Sequence, residues 1–213
     1  MLNNLWVYSL FFIIFLSSLR FIPAANCHSN PNENITIKWD LINWTPDGYV
    51  AVITMYNFQK RPIRAPGWQL SWIWAKNEVI WTTLGCQATH QGDCSKFKNY
   101  IPASCKKSPT IVDLSPHTPF NQQVENCCRG GLLDAWSNKP QSRSISSFQL
   151  SVGLSGNTNR DVKLPKNFNF KAPGGKYTCG PAKVIERTNY ITRDKRRFTR
   201  ALMTWKVICK HSG

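Results

Sequence analysis

The run NITIKWDLINWTPDGYVAVITMY, Asn34 to Tyr56, dictates strands. Ile35, Ile37, Trp39 and Leu41 alternate with Thr36, Lys38 and Asp40, the period of a half-buried strand rather than of a helix. Pro46, Asp47 and Gly48 supply turn chemistry. Tyr49 to Tyr56 is apolar on both faces, as a central strand is. Two antiparallel strands with one apolar face need further strands to cover them.

Strand-like runs recur along the chain. They are Trp68 to Trp74, Glu78 to Leu84, Thr110 to Leu114, Ser144 to Leu154, Lys183 to Ile191 and Ala201 to Cys209. Turn signals separate them at Ala65-Pro66-Gly67, Gln91-Gly92-Asp93, Ser155-Gly156-Asn157 and Ala172-Pro173-Gly174-Gly175. Asn121 to Asp134 is the one stretch with room for a short helix, and Ser137 to Ser147 reads as a linker. Many short strands with Gly and Pro turns predict an all-β chain folded as a β-sandwich. The length fits a single domain over residues 28–213.

Residues 1–27 read as a secretory signal peptide. The apolar run Leu10 to Leu16 is shorter than the roughly 20 residues of a bilayer span. Ala25-Asn26-Cys27 satisfies a small-x-small rule, with the cut before His28. Export fits two N-glycosylation sequons, at Asn34 and Asn43. Asn34, with its polar lead-in, reads as the more accessible of the two.

Longer blocks carry a resemblance. APGWQLSWIWAKNEVIW (Ala65 to Trp81), QGDCSKFKNYIP (Gln91 to Pro102) and CKKSPTIVDLSPHTPFNQQVENCCRGG (Cys105 to Gly131) resemble the plant COBRA-like family of secreted wall proteins. So do the Asn34–Tyr56 run, SFQLSVG (Ser147 to Gly153), YTCGPAKV (Tyr177 to Val184) and DKRRFTRALMTWKV (Asp194 to Val207). The resemblance implies a part in oriented cellulose microfibril deposition and wall biogenesis. It also implies a likeness to a cellulose-binding module, so the expected β-sandwich is immunoglobulin-like or carbohydrate-binding-module-like. Full-length members continue through a second cysteine-rich part to a lipid anchor at the outer plasma membrane. This chain ends in the polar Lys210-His211-Ser212-Gly213, with no anchor signal, so the expectation is a wall protein without a stable membrane anchor.

Eight cysteines in an exported chain predict a disulfide-stapled fold. Cys94, Cys105, Cys127, Cys128, Cys179 and Cys209 stand where the COBRA-like pattern has cysteine. Six cysteines allow 15 pairings, and the sequence does not choose among them. The adjacent Cys127 and Cys128 are expected to take different partners. Cys86 departs from the pattern. It is the spare thiol if Cys27 is cut away, or the partner of Cys27 if that residue is kept. A zinc site lacks support, because no CxxC pair or matching histidine spacing exists.

The aromatic residues offer a mechanism. Trp68, Leu70, Trp72 and Trp74 recur at period two, on one strand face, and Trp81 lies on the next run. Trp rings stack on the flat apolar faces of glucan sugars, which makes Trp68, Trp72, Trp74 and Trp81 candidate carbohydrate-binding residues. Trp on strands also fills sandwich cores, and the pattern leaves both readings open. Trp39 and Trp205 read as core.

The net charge of +16 implies acidic partners. Export argues against nucleic acid, and pectin is the abundant polyanion of a plant wall. Arg193, Lys195, Arg196, Arg197 and Arg200 form the tightest basic cluster, a candidate pectin contact or a solvated edge. No carboxylate pair shows a glycosidase signature, and no nucleophile elbow, phosphate loop or dinucleotide motif occurs. The expectation is a non-enzymatic protein with no cofactor or metal. One remote alternative is a copper polysaccharide monooxygenase using an N-terminal His28 with His90, His117 or His211.

Overall fold

The hairpin expected from the opening run forms the middle of the larger sheet. The structure is a computed structural model, and it describes residues 33–191, 196 and 198–212. The leader with Cys27 and His28 lies outside the described residues, as do Arg193, Lys195 and Arg197 of the basic cluster. β1 (Ile35–Thr45) pairs with β2 (Gly48–Asn57) from Ile35 opposite Asn57 to Thr45 opposite Gly48. Only Pro46 and Asp47 remain for the turn.

The free edge of β1 takes the C-terminal strand, and that of β2 takes Ser146–Val152 and its neighbours. The larger sheet thus runs β10 (Lys183–Ile185), β13 (Met203–Ser212), β1, β2, β7 (Ile145–Gly153) and β4 (Val79–Leu84). β9 (Lys176–Cys179) also pairs with β13. A second sheet runs β5 (Cys86–Ala88), β6 (Thr110–Asp113), β3 (Gln69–Ile73) and β8 (Lys166–Lys171). β11 (Asn189–Ile191) and β12 (Phe198–Arg200) form a separate hairpin. The chain crosses from β4 to β5, and so between the sheets, at Gly85. Its φ is +73°, and a Cβ there would lie 2.6 Å from Val124 Cγ2, so glycine alone makes this corner.

The two sheets enclose one apolar core. β1 contributes Ile35, Ile37, Trp39 and Leu41, β2 contributes Tyr49, Ala51, Ile53 and Met55, and β13 contributes Trp205 and Val207. Leu70 and Trp72 of β3 and Phe168 and Phe170 of β8 meet them from the other sheet. Trp39 is the hub. Its ring stacks on Trp205 at 5.4 Å and meets Trp72 edge-on at 5.1 Å and Trp74 at 6.2 Å. Each such ring removes about 150–250 Å² from water, on the order of 4–6 kcal/mol before the entropy of ordering is subtracted.

Some expectations change. The single strand expected over Lys183 to Ile191 is two, because β11 leaves the large sheet for its own hairpin. Thr188, between them, donates its hydroxyl to Asp40 Oδ1 at 2.6 Å. β5, β8, β9 and β12 were not legible as strands. The stretch Asn121 to Asp134 holds only a 3₁₀ turn, Phe120–Gln122. Asp113 explains this. Its carboxylate accepts the amides of Leu114, Cys128, Arg129 and Gly131 at 2.8–3.0 Å, so these N–H groups are spent on a side chain and not on a helical ladder. The Ser137–Ser147 linker contains a 3₁₀ turn at Gln141–Ser144 and yields to β7 at Ile145.

Three disulfides staple the sandwich: Cys94–Cys105, Cys127–Cys128 and Cys179–Cys209. The second corrects the expectation of separate partners: the two neighbours bridge each other. The positive φ of Cys128, 69°, belongs to the same tight loop, whose amides converge on Asp113. Cys179 and Cys209 face each other across β9 and β13. Cys86 is a buried free thiol, raised well above its ordinary range by burial and secondarily by nearby Asp113.

Candidate functional site

The four candidate tryptophans separate into two groups. Trp68, Trp72 and Trp74 are 1%, 0% and 2% exposed. Buried rings offer no face to a sugar, so all three are core residues, which corrects the expectation of a stacking strip along that strand. Trp72 projects from β3 into the ring cluster around Trp39, Trp74 joins it just past the strand end, and Trp68 stacks on Phe148 at 5.8 Å.

Trp81 goes the other way. It sits in β4 where the register against β7 shifts between Ile80 and Thr82. A bulge re-aims a side chain, and Trp81 is partly exposed while Ile80 beside it is fully buried. Its indole N–H donates to Asp47 Oδ2 at 3.1 Å. The same carboxylate accepts the Leu154 amide at 3.3 Å. Asp47, read from sequence as a turn residue, therefore also orients a ring. Gly153 makes space for this contact, since a Cβ there would lie 2.0 Å from the Trp81 nitrogen.

Two further rings join Trp81. Phe97 meets it edge-on at 5.1 Å and Tyr100 lies tilted at 5.5 Å. Tyr100 is 59% exposed and its neighbour Ile101 57%. Both ride on the loop closed by Cys94–Cys105. The loop is pinned beneath. Ile80 and Ser104 exchange backbone hydrogen bonds at 2.8 and 3.1 Å, and the Ala103 amide donates to Trp81 O at 3.2 Å. Gln91 Nε2 holds Pro102 O at 2.8 Å. The product is an aromatic platform on a braced loop, with Lys96 Nζ 5.0 Å from the Phe97 ring centre. Sequence reading missed Phe97 and Tyr100. Their signal was an aromatic pair, KFKNY, between two closely spaced cysteines.

The outer face of the large sheet is polar. At its centre Asp40 is fully buried, accepting the Thr188 and Thr204 hydroxyls on Oδ1 at 2.6 Å each and standing 3.4 Å from Lys38 Nζ. Tyr190 of β11 closes over it. Its phenol is raised above the usual range by burial, then by the Asp40 charge and its hydrogen bond to that carboxylate. A cavity of about 370 Å³ opens beside them, lined by Lys38, Thr54, Tyr56, Ser147 and Tyr190 among others.

Comparison with known proteins settles the family. The COBRA N-terminal domain model matches residues 49–212. The chain is 53% identical over 203 residues to Protein COBRA of Arabidopsis thaliana, covering 94% of this chain and 44% of that protein. It is 56% identical to COBRA-like protein 1 of the same plant, at 94% and 45% coverage. It is 60% identical to COBRA-like protein 3 of Oryza sativa subsp. japonica, at 86% and 40% coverage. The chain belongs to the COBRA family. It spans less than half the length of these relatives. No solved structure matches it.

Within this COBRA-family domain the other candidates are scattered. Arg200 pairs with Glu186 at 3.6 Å on the β11–β12 side, and Arg196 is exposed. The sequon order of access reverses: Asn43 is exposed, whereas Asn34 is 8% exposed and accepts the Thr36 hydroxyl at 2.7 Å. His211 lies 3.1 Å from Arg61 Nη1 and packs against Tyr177, and His90 contacts the Thr89 hydroxyl. Among the described residues, no three of His, Cys, Asp and Glu gather to hold a metal. No helix of the described residues is long and apolar enough to cross a membrane.

Proposed function

We propose that this COBRA-family domain is a non-catalytic module of a secreted cell-wall protein, and that it binds cellulose or a related wall glucan and takes part in microfibril organisation. The Trp81–Phe97–Tyr100 platform carries the reading. Sugar rings present flat C–H faces, and an exposed aromatic face meets them with dispersion and little polar desolvation. Rigid backing matters as much as the rings. The disulfide, the backbone bonds between Ile80 and Ser104 and the Gln91 side-chain bond to Pro102 hold the loop in one arrangement, so little ordering entropy opposes binding. Ile101, next to Tyr100 in the chain, and Leu154, whose amide shares Asp47 with Trp81, are also exposed.

The test is retention on crystalline cellulose by the glycosylated protein. Tyr100→Ala removes an exposed ring that no buried group depends on. Retention is expected to fall while the unfolding midpoint stays put. Undiminished retention of Tyr100→Ala and of Phe97→Ala/Tyr100→Ala together refutes the platform.

A further inference from the structure

The registers of the large sheet align an unusual row across its outer face. Lys183 on β10 stands opposite Lys206 on β13, and Lys206 stands opposite Lys38 on β1. Lys38 continues to Thr54 on β2, and Thr54 to Ser147 on β7. With strands about 4.8 Å apart, three ammonium groups occupy about 10 Å of a track about 19 Å long that crosses the strands at right angles. Like charges directly opposite destabilise a sheet. Lys38 has Asp40 at 3.4 Å, but among the described residues neither Lys183, Lys206 nor the adjacent Lys210 makes an ion pair. At the Lys183–Lys206 end the sheet carries this repulsion with no ion-pair partner among the described residues.

The ground around the row is shaped. Lys183, Lys206 and Lys210 border a second cavity of about 370 Å³ whose other walls include Ile208, Pro181 and Thr178. Beyond Lys38 the track enters the first cavity, where the Ser147 hydroxyl donates to Thr54 Oγ1 at 3.2 Å. Cations and then hydroxyls thus follow one another along the row, with an apolar patch beside its lysine end.

We propose that this track binds a linear uronate-bearing polysaccharide, lying across the strands with its carboxylates on Lys183, Lys206 and Lys38. A uronate unit offers a carboxylate, hydroxyls and a C–H ring face, the three chemistries found along the track and at its border. A single-stranded nucleic acid fits less well, because such grooves set stacking rings along the whole strand; Tyr56 stands 6.0 Å from Lys38 Nζ, but no aromatic ring lines the cavity at Lys183, Lys206 and Lys210. The track shares no residue with the aromatic platform or with the basic cluster read from the sequence, and it stands or falls independently of glucan binding.

Titration with de-esterified oligogalacturonate by calorimetry tests it, with the fully methyl-esterified oligomer, a single-stranded DNA oligomer and phosphatidylserine vesicles as the other arms. The de-esterified oligomer binds, and added salt weakens it. Lys183→Gln/Lys206→Gln weakens it by about tenfold or more, the worth of one charge-assisted hydrogen bond. This variant has an equal or higher thermal midpoint, since the change relieves repulsion, and keeps its cellulose retention. Arg196→Gln/Arg200→Gln leaves oligogalacturonate affinity unchanged. Unaltered affinity in the lysine variant overturns the proposal. So does a loss confined to the arginine variant, equal binding of the esterified oligomer, or equally tight binding of DNA or vesicles.

Discussion

Trp72→Ala separates a core tryptophan from a sugar-stacking one. Trp72 is fully buried, with Trp39 at 5.1 Å, Trp74 at 5.2 Å and Phe168 at 6.2 Å. Truncation removes the transfer energy of a whole indole and opens a cavity between two sheets that cannot close on it. The cost is about 3–5 kcal/mol. A domain of this kind has about 5–15 kcal/mol in all, so the variant retains a fold but a marginal one. With a urea slope of about 2 kcal/mol/M, the midpoint falls by about 2 M. Trp72→Phe is milder, since the indole N–H that it deletes has no acceptor among the described residues. The assay is urea unfolding followed by fluorescence, run beside cellulose retention on the same preparations. A Trp72→Ala protein with an unchanged midpoint and lost retention refutes the core assignment. Lost stability with retention intact in the folded fraction supports it.

Other outcomes follow from single contacts. Asp47→Ala strips the acceptor from Trp81 and from the Leu154 amide, and is expected to cost about 1–3 kcal/mol and to lower cellulose retention, read by thermal unfolding and pull-down. Asp113→Ala leaves four backbone amides without their acceptor and is expected to destabilise by about 3 kcal/mol or more, measured by urea unfolding. Peptide mapping without reduction is expected to find Cys127 and Cys128 in one unlinked peptide two hydrogens lighter than its reduced form, and a cross-linked pair of peptides there refutes the bridge. Burial raises the Cys86 thiol and the Tyr49 phenol, with Asp113 and Glu78 adding to the respective shifts. The folded state therefore holds these protons longer than the unfolded one, and their stabilising share is intact below about pH 8.5 and fades as pH rises through the unfolded values of about 8.5 and 10. Native Cys86 is accordingly expected to resist alkylation at pH 8 and to react in urea.

Alternation was enough to locate the interior strands. β1, β2 and β7 each bury one clean face against the second sheet, and their period shows in the residues. β8 hides in KNFNFK, where only Phe168 and Phe170 point inward and every intervening residue is polar. β5, β9 and β12 have three or four residues, too few for a period to declare itself. The Lys183–Ile191 run looked continuous because its break is made by a contact nearly 150 positions away, Thr188 to Asp40. A single sequence carries no signal for such a contact.

The site was legible in chemistry but not in place. Period two assigns Trp68, Trp72 and Trp74 to one face, and it cannot say whether that face meets water or the other sheet. The second sheet decides, because Trp39 and Trp205 on the facing strands leave a space that only large rings fill. Trp81 escapes this fate by one extra residue at a bulge, a feature set by register with β7 and not by its neighbours in sequence. The platform then assembles from three separated pieces: the turn at Asp47, the bulge at Trp81 and the disulfide loop bearing Phe97 and Tyr100. Each piece has its own local reason to exist, and only the fold brings them within hydrogen-bond and ring-contact range. The same division holds for the lysine row. Lys38, Lys183 and Lys206 are unremarkable in a chain with 27 basic residues, and become a line of charge only when β10, β13 and β1 lie side by side.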